Sequence, residues 1–129
     1  MKIDRFEDIN AWKLARKLAN RVYEISRNTE FNTDFELRDQ IRSAAGSAMH
    51  NVAEGFDSES SYEFIRFLRY AKRSCSEVQS ELYLALDQQY LSDSEFREIY
   101  DLAGETRACT KGLIKYLINY AASKKRSRK

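Results

Sequence analysis

The sequence predicts an all-α protein, an up-down-up-down antiparallel four-helix bundle. Proline is absent and glycine occurs only 4 times in 129 residues, which removes the usual punctuation of β-hairpins and long loops. Apolar residues recur at helical spacing through four long segments. Three of these segments open on a capping-box pattern, a hydroxyl residue followed three positions later by glutamate, at Thr33, Ser60 and Ser92.

The first two helices are predicted over about residues 7–27 and 34–54, with Gly55 ending the second. Both segments carry an apolar stripe that would face a core. In the first helix it comprises Ile9, Trp12, Ala15, Ala19 and Val22, widened by Leu14, Leu18 and Ile25. In the second it comprises Leu37, Ile41, Ala44, Ala45, Ala48 and Val52.

The third and fourth helices are predicted over about residues 61–89 and 93–122. The third stripe comprises Phe64, Phe67, Leu68, Ala71, Cys75, Val78, Leu82 and Leu86. The fourth comprises Phe96, Ile99, Ala103, Thr106, Thr110, Leu113, Leu117 and Tyr120. Short connections make successive helices antiparallel neighbours, so residues 1–123 would form one bundle.

Apolar and aromatic side chains also lie outside these stripes, and the chain contains 8 tyrosines. Tyrosine away from a core stripe is typical of interfaces, where one ring edge is buried and the hydroxyl stays wet. These side chains are Tyr62, Ile65, Tyr70, Tyr83 and Tyr90 in the third helix, and Tyr100, Cys109, Ile114, Tyr116 and Ile118 in the fourth. They predict a homo-oligomer; the alternative is a broad core stripe with ordinary exposed tyrosines.

The net charge of +2 conceals a basic end at residues 124–129. The basic side chains there are Lys124, Lys125, Arg126, Arg128 and Lys129, and without them the chain carries 17 basic and 20 acidic side chains. We predict a disordered tail that would contact phosphate backbones. The alternative is a solubilising terminus.

Side chains for catalysis and metal binding are sparse. The single histidine, His50, stands in no zinc-ligand spacing with Cys75 and Cys109, and no glutamate precedes it by three residues as bundle di-iron sites require. Ser47 and Glu54 lie within a helical turn of His50, but one helix surface seldom gives a convergent triad. We predict no enzyme activity, no metal and no cofactor, and we interpret both cysteines as core residues.

No apolar run approaches the roughly 20 residues that span a bilayer. The N-terminal residues also lack the apolar segment of a signal peptide. We therefore expect a cytoplasmic protein without a membrane partner.

A polar line runs along the second helix through Ser43, Ser47, Asn51 and Glu54, beside a face of alanine and glycine. Small residues permit a close helix approach, and a polar line beside them can fix the register of two helices by hydrogen bonds. We predict that Ser47, Asn51 and Glu54 form a structural network. The alternative is a solvated face.

Several segments together resemble a known family. They are Leu37-x-x-Gln40-Ile41-Arg42-x-Ala44-x-x-Ser47-x-x-x-Asn51-Val52-Ala53-Glu54-Gly55, the flank Phe6-x-x-Ile9-x-Ala11-Trp12, and the third-helix run from Glu63 to Leu82. These motifs resemble the four-helix-bundle proteins encoded in intervening sequences of bacterial 23S ribosomal RNA, over about residues 6–118. Met49 stands where the family often has proline, and Arg73 where it commonly has glycine.

The resemblance implies an assembly more than an activity. The family is similar to the accessory variability protein of diversity-generating retroelements, which forms a homopentamer, binds nucleic acid and partners a reverse transcriptase. The resemblance thus implies a pentamer associated with RNA or DNA, and a reverse transcriptase as a partner. Small helical RNases of the HEPN type are a more distant alternative, since Arg42 and His50 do not match their arginine–histidine spacing.

Basic residues on the third helix are the second candidate nucleic-acid surface. Arg66, Arg69 and Arg73 follow helical spacing, with Lys72 and Tyr70 adjacent, so the cations would share one face. The alternative is a solvated face with the pairs Glu63–Arg66 and Arg73–Glu77. The sequence thus predicts a non-enzymatic, oligomeric, nucleic-acid-associated accessory factor; the alternative is a protein-interaction scaffold that binds no nucleic acid.

Overall fold

The computed structural model describes residues 3–127, and within this range it is all helical. A short 3₁₀ helix, Phe6–Asp8, precedes α1. The α-helices are α1 (Asn10–Ile25), α2 (Thr29–Thr33), α3 (Phe35–Asp57), α4 (Ser61–Asp87) and α5 (Asp93–Ser127). The prediction of an all-α bundle is confirmed, and the described elements beyond the four long helices are the 3₁₀ helix and the five-residue α2.

Helices α3 and α4 run in opposite directions along their shared seam. Ser74 donates its hydroxyl to Ser47 over 3.1 Å, whereas Gly55, two turns later in α3, lies beside Phe64, near the start of α4. The apolar stripes of both helices face the same core, so this pairing buries them together.

Helix α5 is antiparallel to both of its neighbours. On α4, Gln79 donates to the carbonyl of Tyr100 over 3.2 Å, and the ring of Tyr83, one turn later, lies 4.9 Å from that of Phe96, one turn earlier. On α1, Arg21 forms a bidentate ion pair with Glu98, with N–O distances of 2.7 and 2.8 Å.

The predicted core is largely what the fold buries. Every stripe residue of α3 is buried, and in the other helices only a few predicted residues are half-buried: Leu14, Phe64, Phe67, Leu86 and Leu113. The prediction that Tyr120 is a core residue is wrong, since 44% of this residue is exposed near the end of α5. Phe31 of α2 was missed, although it is fully buried and stacks on Tyr90 at 5.2 Å.

The second helix starts close to the predicted residue 34, but the predicted cap, Thr33, is wrong. Thr33 ends α2 and donates its hydroxyl to the carbonyl of Glu30, while the side chain of Asp34 caps α3 by accepting from the amide of Leu37 at 3.2 Å. Asp34 also accepts the hydroxyl of Tyr90 at 2.9 Å. A carboxylate held by a second partner is the better cap here because it is already oriented.

The other two capping boxes differ from each other. Ser92 and Glu95 form the reciprocal pair, with distances of 3.1 and 2.9 Å. Ser60 accepts from the amide of Glu63, but the Glu63 carboxylate turns to Arg66 instead of the Ser60 amide. Charge-assisted pairing with a guanidinium is stronger than a neutral hydrogen bond.

Gly55 does not end the second helix as predicted, because α3 continues to Asp57. A Cβ atom built at this position would lie 2.9 Å from Cδ1 of Phe64 and from Cβ of Phe67. Gly55 is therefore required by the close approach of α3 to α4 and not by a left-handed turn.

Helix α5 continues past the predicted end at about residue 122 and includes Lys124, Lys125 and Arg126. We expected a disordered tail, and the structure instead has helix to Ser127. No proline or glycine follows Gly112, and alanine and lysine are good helix formers. Cations in a last turn also interact favourably with the helix dipole. Arg128 and Lys129 lie outside the described residues.

Candidate nucleic-acid interface

Four predicted cations meet around one tyrosine on α4. Arg66, Arg69, Lys72 and Arg73 line a single shallow depression together with Tyr70. We call these five residues the α4 basic patch. All of its cations come from two consecutive turns of one helix, so helix geometry alone brings their backbone positions close together.

Tyr70 orders two of the guanidinium groups. The hydroxyl of Tyr70 accepts from Nη1 of Arg66 at 2.9 Å, and the guanidinium carbons of Arg66 and Arg73 lie 5.5 and 5.0 Å from the ring centroid. The ring thus holds both cations near the surface and gains cation–π stabilisation. A ring that stacks on bases needs an open face, whereas Tyr70 is half-buried and already covered by guanidinium groups.

The α4 basic patch has more positive charge than its ion pairs neutralise. Arg66 pairs with Glu63 at 2.8 Å, and these hydrogen bonds lower the pKa of Glu63. Within residues 3–127, Arg69, Lys72 and Arg73 make no ion pair, so of the two pairs named in the alternative of a solvated face, Glu63–Arg66 forms and Arg73–Glu77 does not. Three of the four cations are therefore available to a phosphate.

Arg73 and Met49, the two departures from the family pattern, are both accommodated. Arg73 is exposed, so its charge does not enter a close helix contact. Met49 is half-buried and packs against both of the clusters of buried apolar residues that make up the core. Helix α3 is continuous through Met49.

The basic end of α5 forms a separate surface. Lys124, Lys125 and Arg126 are exposed, and the ammonium of Lys124 lies 5.2 Å from the centroid of the Tyr120 ring. None of these residues lines the depression of the α4 basic patch.

The predicted polar line joins α3 to α4 through one of its members, Ser47. Asn51 donates its amide to the carbonyl and to Oγ of Ser47, at 2.8 and 2.9 Å, and Ser74 of α4 donates to Oγ of Ser47. Glu54 is exposed and makes no hydrogen bond to any described residue. The network therefore uses Ser74, which the sequence did not single out, in place of Glu54.

Arg42 is a second residue whose role was missed. It was considered only as half of an arginine–histidine pair, but its Nε donates to Oγ of Ser26 at 2.8 Å and its guanidinium lies 4.7 Å from the Tyr23 ring centroid. The one signal in the sequence was the place of Arg42 in the resemblance motif.

Neither a metal-binding cluster nor an activated thiol is found in the described part of the chain. Among residues 3–127 no three His, Cys, Asp or Glu side chains are grouped as metal ligands would be. Cys75 is buried, and burial raises the pKa of its thiol to about 12. Burial, and to a lesser degree the charge of Glu105, also raises the pKa of the Cys109 thiol. Both thiols are therefore protonated near neutral pH and poor nucleophiles.

Large apolar side chains remain on the surface. The exposed fraction is 75% for Tyr62 and 63% for Phe35. Other exposed members are Tyr23, Tyr83, Leu84, Tyr116, Ile118 and Tyr120, whereas Ile114 of the predicted second face is buried in the core. No described helix is both long and apolar enough to cross a membrane.

Comparison with known proteins places the chain in a family. The family of 23S rRNA-intervening sequence proteins matches residues 7–112, and the chain belongs to it. The fold is similar to that of a protein of unknown function from the S23 ribosomal protein family of Bacteroides thetaiotaomicron VPI-5482. The TM-score is 0.76 at 20% sequence identity, covering 81% of this chain and 95% of that one. A search of curated proteins found no match.

Proposed function

We propose that this protein is a non-enzymatic, oligomeric accessory factor that associates with nucleic acid through the α4 basic patch. The observation that carries the proposal is the group of cations around Tyr70, three of which have no carboxylate partner among the described residues. Membership of a family named for intervening sequences in ribosomal RNA supports RNA as the ligand.

The geometry favours binding to the phosphate backbone over reading of bases. The patch is shallow, and the guanidinium groups of Arg69 and Arg73, which pair with no carboxylate among the described residues, suit phosphate oxygens. Contacts of this kind release counterions, so binding would weaken steeply with salt and depend little on sequence.

Self-assembly would multiply the patch. Phe35, Tyr62, Tyr83 and Leu84 are about half exposed or more, and apolar side chains of this size are enriched in the cores of interfaces. The resemblance of the sequence implies a homopentamer and a reverse transcriptase as partner. Size-exclusion chromatography with light scattering tests assembly, and a monomer at micromolar concentration would contradict it.

Fluorescence anisotropy with a labelled single-stranded RNA tests the binding surface. The double variant Arg69→Gln/Arg73→Gln removes two exposed charges that pair with no carboxylate among the described residues, so we expect weaker binding without loss of helix content. The matched control is Arg97→Gln/Lys111→Gln, which removes two exposed cations from α5. Equal affinity of the two double variants would reject the patch.

Truncation after Ser123 separates the patch from the end of α5. We expect the truncated protein to keep most of its RNA affinity, because the α4 basic patch contains no residue of α5. Complete loss of binding after truncation would assign the interaction to the basic end instead.

A protein-interaction scaffold is the second candidate, and one observation favours it. Leu84 and Leu37 line a depression between α3 and α4, close to the α3 start at which Phe35 is 63% exposed. Affinity purification with and without nuclease distinguishes the candidates. Protein partners that persist after nuclease treatment, with no RNA bound at low salt, would establish the scaffold.

A further inference from the structure

Arg42 is held rigidly at the junction of α1 and α3. Its Nε donates to Oγ of Ser26 at 2.8 Å, and the Ser26 hydroxyl donates in turn to the carbonyl of Tyr23 at 3.2 Å. Ser26 is fully buried, and the ring of Tyr23 lies beneath the guanidinium at 4.7 Å. Nε and one face of the group are thereby fixed.

The other edge of Arg42 is free. No carboxylate within residues 3–127 pairs with it, and neither terminal nitrogen donates a hydrogen bond there. A half-buried guanidinium that is fixed on one side and unpaired on the other is preorganised for an anion, because little conformational entropy remains to be lost.

This free edge opens into a polar depression that follows α3 for about three turns. Its lining comprises Tyr23, Arg42, Ser43, Gly46, Ser47, His50, Asn51 and Glu54. The hydroxyl of Ser43 lies next to Arg42 in sequence and is exposed. Gly46 has no side chain to fill the depression. The His50 ring folds back over it, and Nε2 and Cδ2 of His50 lie 3.9 Å from the place where a Cβ of residue 46 would stand.

The two ends of the depression have different chemistry. Donors stand at the Arg42 end. At the other end Asn51 donates from its amide nitrogen to Ser47, and its amide oxygen accepts no hydrogen bond from a described residue, so it remains an acceptor beside the Glu54 carboxylate. Arg42 and Asn51 are separated by roughly 13 Å along the axis at 1.5 Å per residue, more than a phosphate ion spans.

We propose that this depression binds one nucleotide unit, with its phosphate on Arg42 and Ser43 and the hydroxyl or amino donors of its sugar and base toward Asn51 and Glu54. A guanidinium fork suits phosphate oxygens, and the acceptors at the far end suit a ligand that carries donors there. The site is separate from the α4 basic patch and requires no long nucleic acid, so it goes beyond the function proposed above.

Titration of the full-length protein with adenosine 5′-monophosphate, followed by ¹H–¹⁵N NMR, tests the site. We expect saturable shifts at the amides of Ser43, Gly46 and His50, and the same shifts in Arg69→Gln/Arg73→Gln. Inorganic phosphate should bind more weakly, because it reaches only the Arg42 end. Absence of saturable shifts at millimolar ligand, or equal affinity for phosphate alone, would overturn the proposal.

Variants at Gly46 distinguish the effect of a negative charge on ligand binding from an effect on the stability of the protein. A Cβ there meets only the His50 ring at an ordinary contact distance, so the neutral variant Gly46→Asn and its charged counterpart of the same size should both fold. Gly46→Asp places a carboxylate between Arg42 and His50 and should weaken binding by about tenfold or more through like-charge repulsion. Equal affinity of the two variants would contradict the site even if Arg42→Gln proved unstable.

Discussion

Gly55 shows how one missing side chain sets the distance between two helices. A Cβ at this position would lie 2.9 Å from side-chain atoms of Phe64 and Phe67 and 3.2 Å from the Phe64 carbonyl. The sequence pattern suggested a helix stop, because glycine is common there. Only the packing of α4 against α3 reveals the steric reason, since it depends on residues distant in sequence.

Gly55→Ala is therefore expected to destabilise the protein by about 1–3 kcal/mol, as overpacking does. The matched control is Gly112→Ala in α5, where a Cβ meets nothing within 4 Å. There the gain in helix propensity should stabilise by up to about 1 kcal/mol. Urea unfolding monitored by circular dichroism measures both, and equal effects would refute the close approach.

Glu81 is the other residue whose environment sequence reasoning overlooked. Its Oε1 atom is buried without a hydrogen-bond partner among the described residues. Burial, and to a lesser degree the charge of Glu77, raises its pKa to about 7. The folded protein thus binds a proton more tightly than the unfolded chain, whose glutamates titrate near 4.3.

This shift makes stability depend on pH in a definite direction. The contribution of Glu81 is fully present below about pH 4.3, the unfolded pKa, and is lost as pH rises through about 7. Glu81→Gln should therefore stabilise the protein at pH 8 by about 1 kcal/mol, a figure reduced because solvent screens the half-exposed group. Denaturation midpoints at pH 5 and pH 8 test this, with Glu77→Gln as a weaker comparison. An unchanged pH dependence in Glu81→Gln would contradict it.

At the scale of elements, periodicity predicted the four long helices and most of the buried face of each. The ends of the helices were harder to predict from the sequence. Thr33 and Asp34 both offer a capping oxygen, and the hydroxyl of Tyr90, far along the chain, helps to orient Asp34. The short α2 has too few residues for a periodic signal, and Phe31 is buried through its contact with Tyr90. Contacts between distant residues decided each of these points.

The α3–α4 seam gives a prediction at the same scale. Ser47→Ala leaves the hydroxyl of nearly buried Ser74 without its partner and should cost about 1 kcal/mol. The double variant Ser47→Ala/Ser74→Ala should cost less than the sum of the single changes, because residue 74 then leaves no unpaired hydroxyl at the seam. A double-mutant cycle from chemical denaturation measures the coupling, and strict additivity would show that the contact contributes nothing.

For Glu54, the third member of the predicted network, we expect no comparable effect. Its carboxylate is exposed and makes no hydrogen bond to any residue in the described part of the chain. Glu54→Gln should therefore change stability by less than about 0.5 kcal/mol, as is usual for surface sites. A cost similar to that of Ser47→Ala would restore Glu54 to the network.

At the scale of the whole molecule, the fold follows from the sequence more completely than the interfaces do. The spacing of Arg66, Arg69 and Arg73 was sufficient to place them on one face. Their ordering by Tyr70, and the fixing of Arg42 by Ser26, depend on side-chain geometry that periodicity does not encode. The exposed aromatic residues expected of a subunit are present, and assembly remains a prediction.

The salt dependence of RNA binding tests the central claim most directly. The affinity of the wild-type protein for a single-stranded RNA should fall linearly on a log–log plot against salt concentration. The slope of Arg69→Gln/Arg73→Gln should be shallower by about 1.4, because each lost phosphate contact on a single strand contributes about 0.7. Parallel slopes for the two proteins, or no binding at low salt, would contradict a nucleic-acid surface on α4.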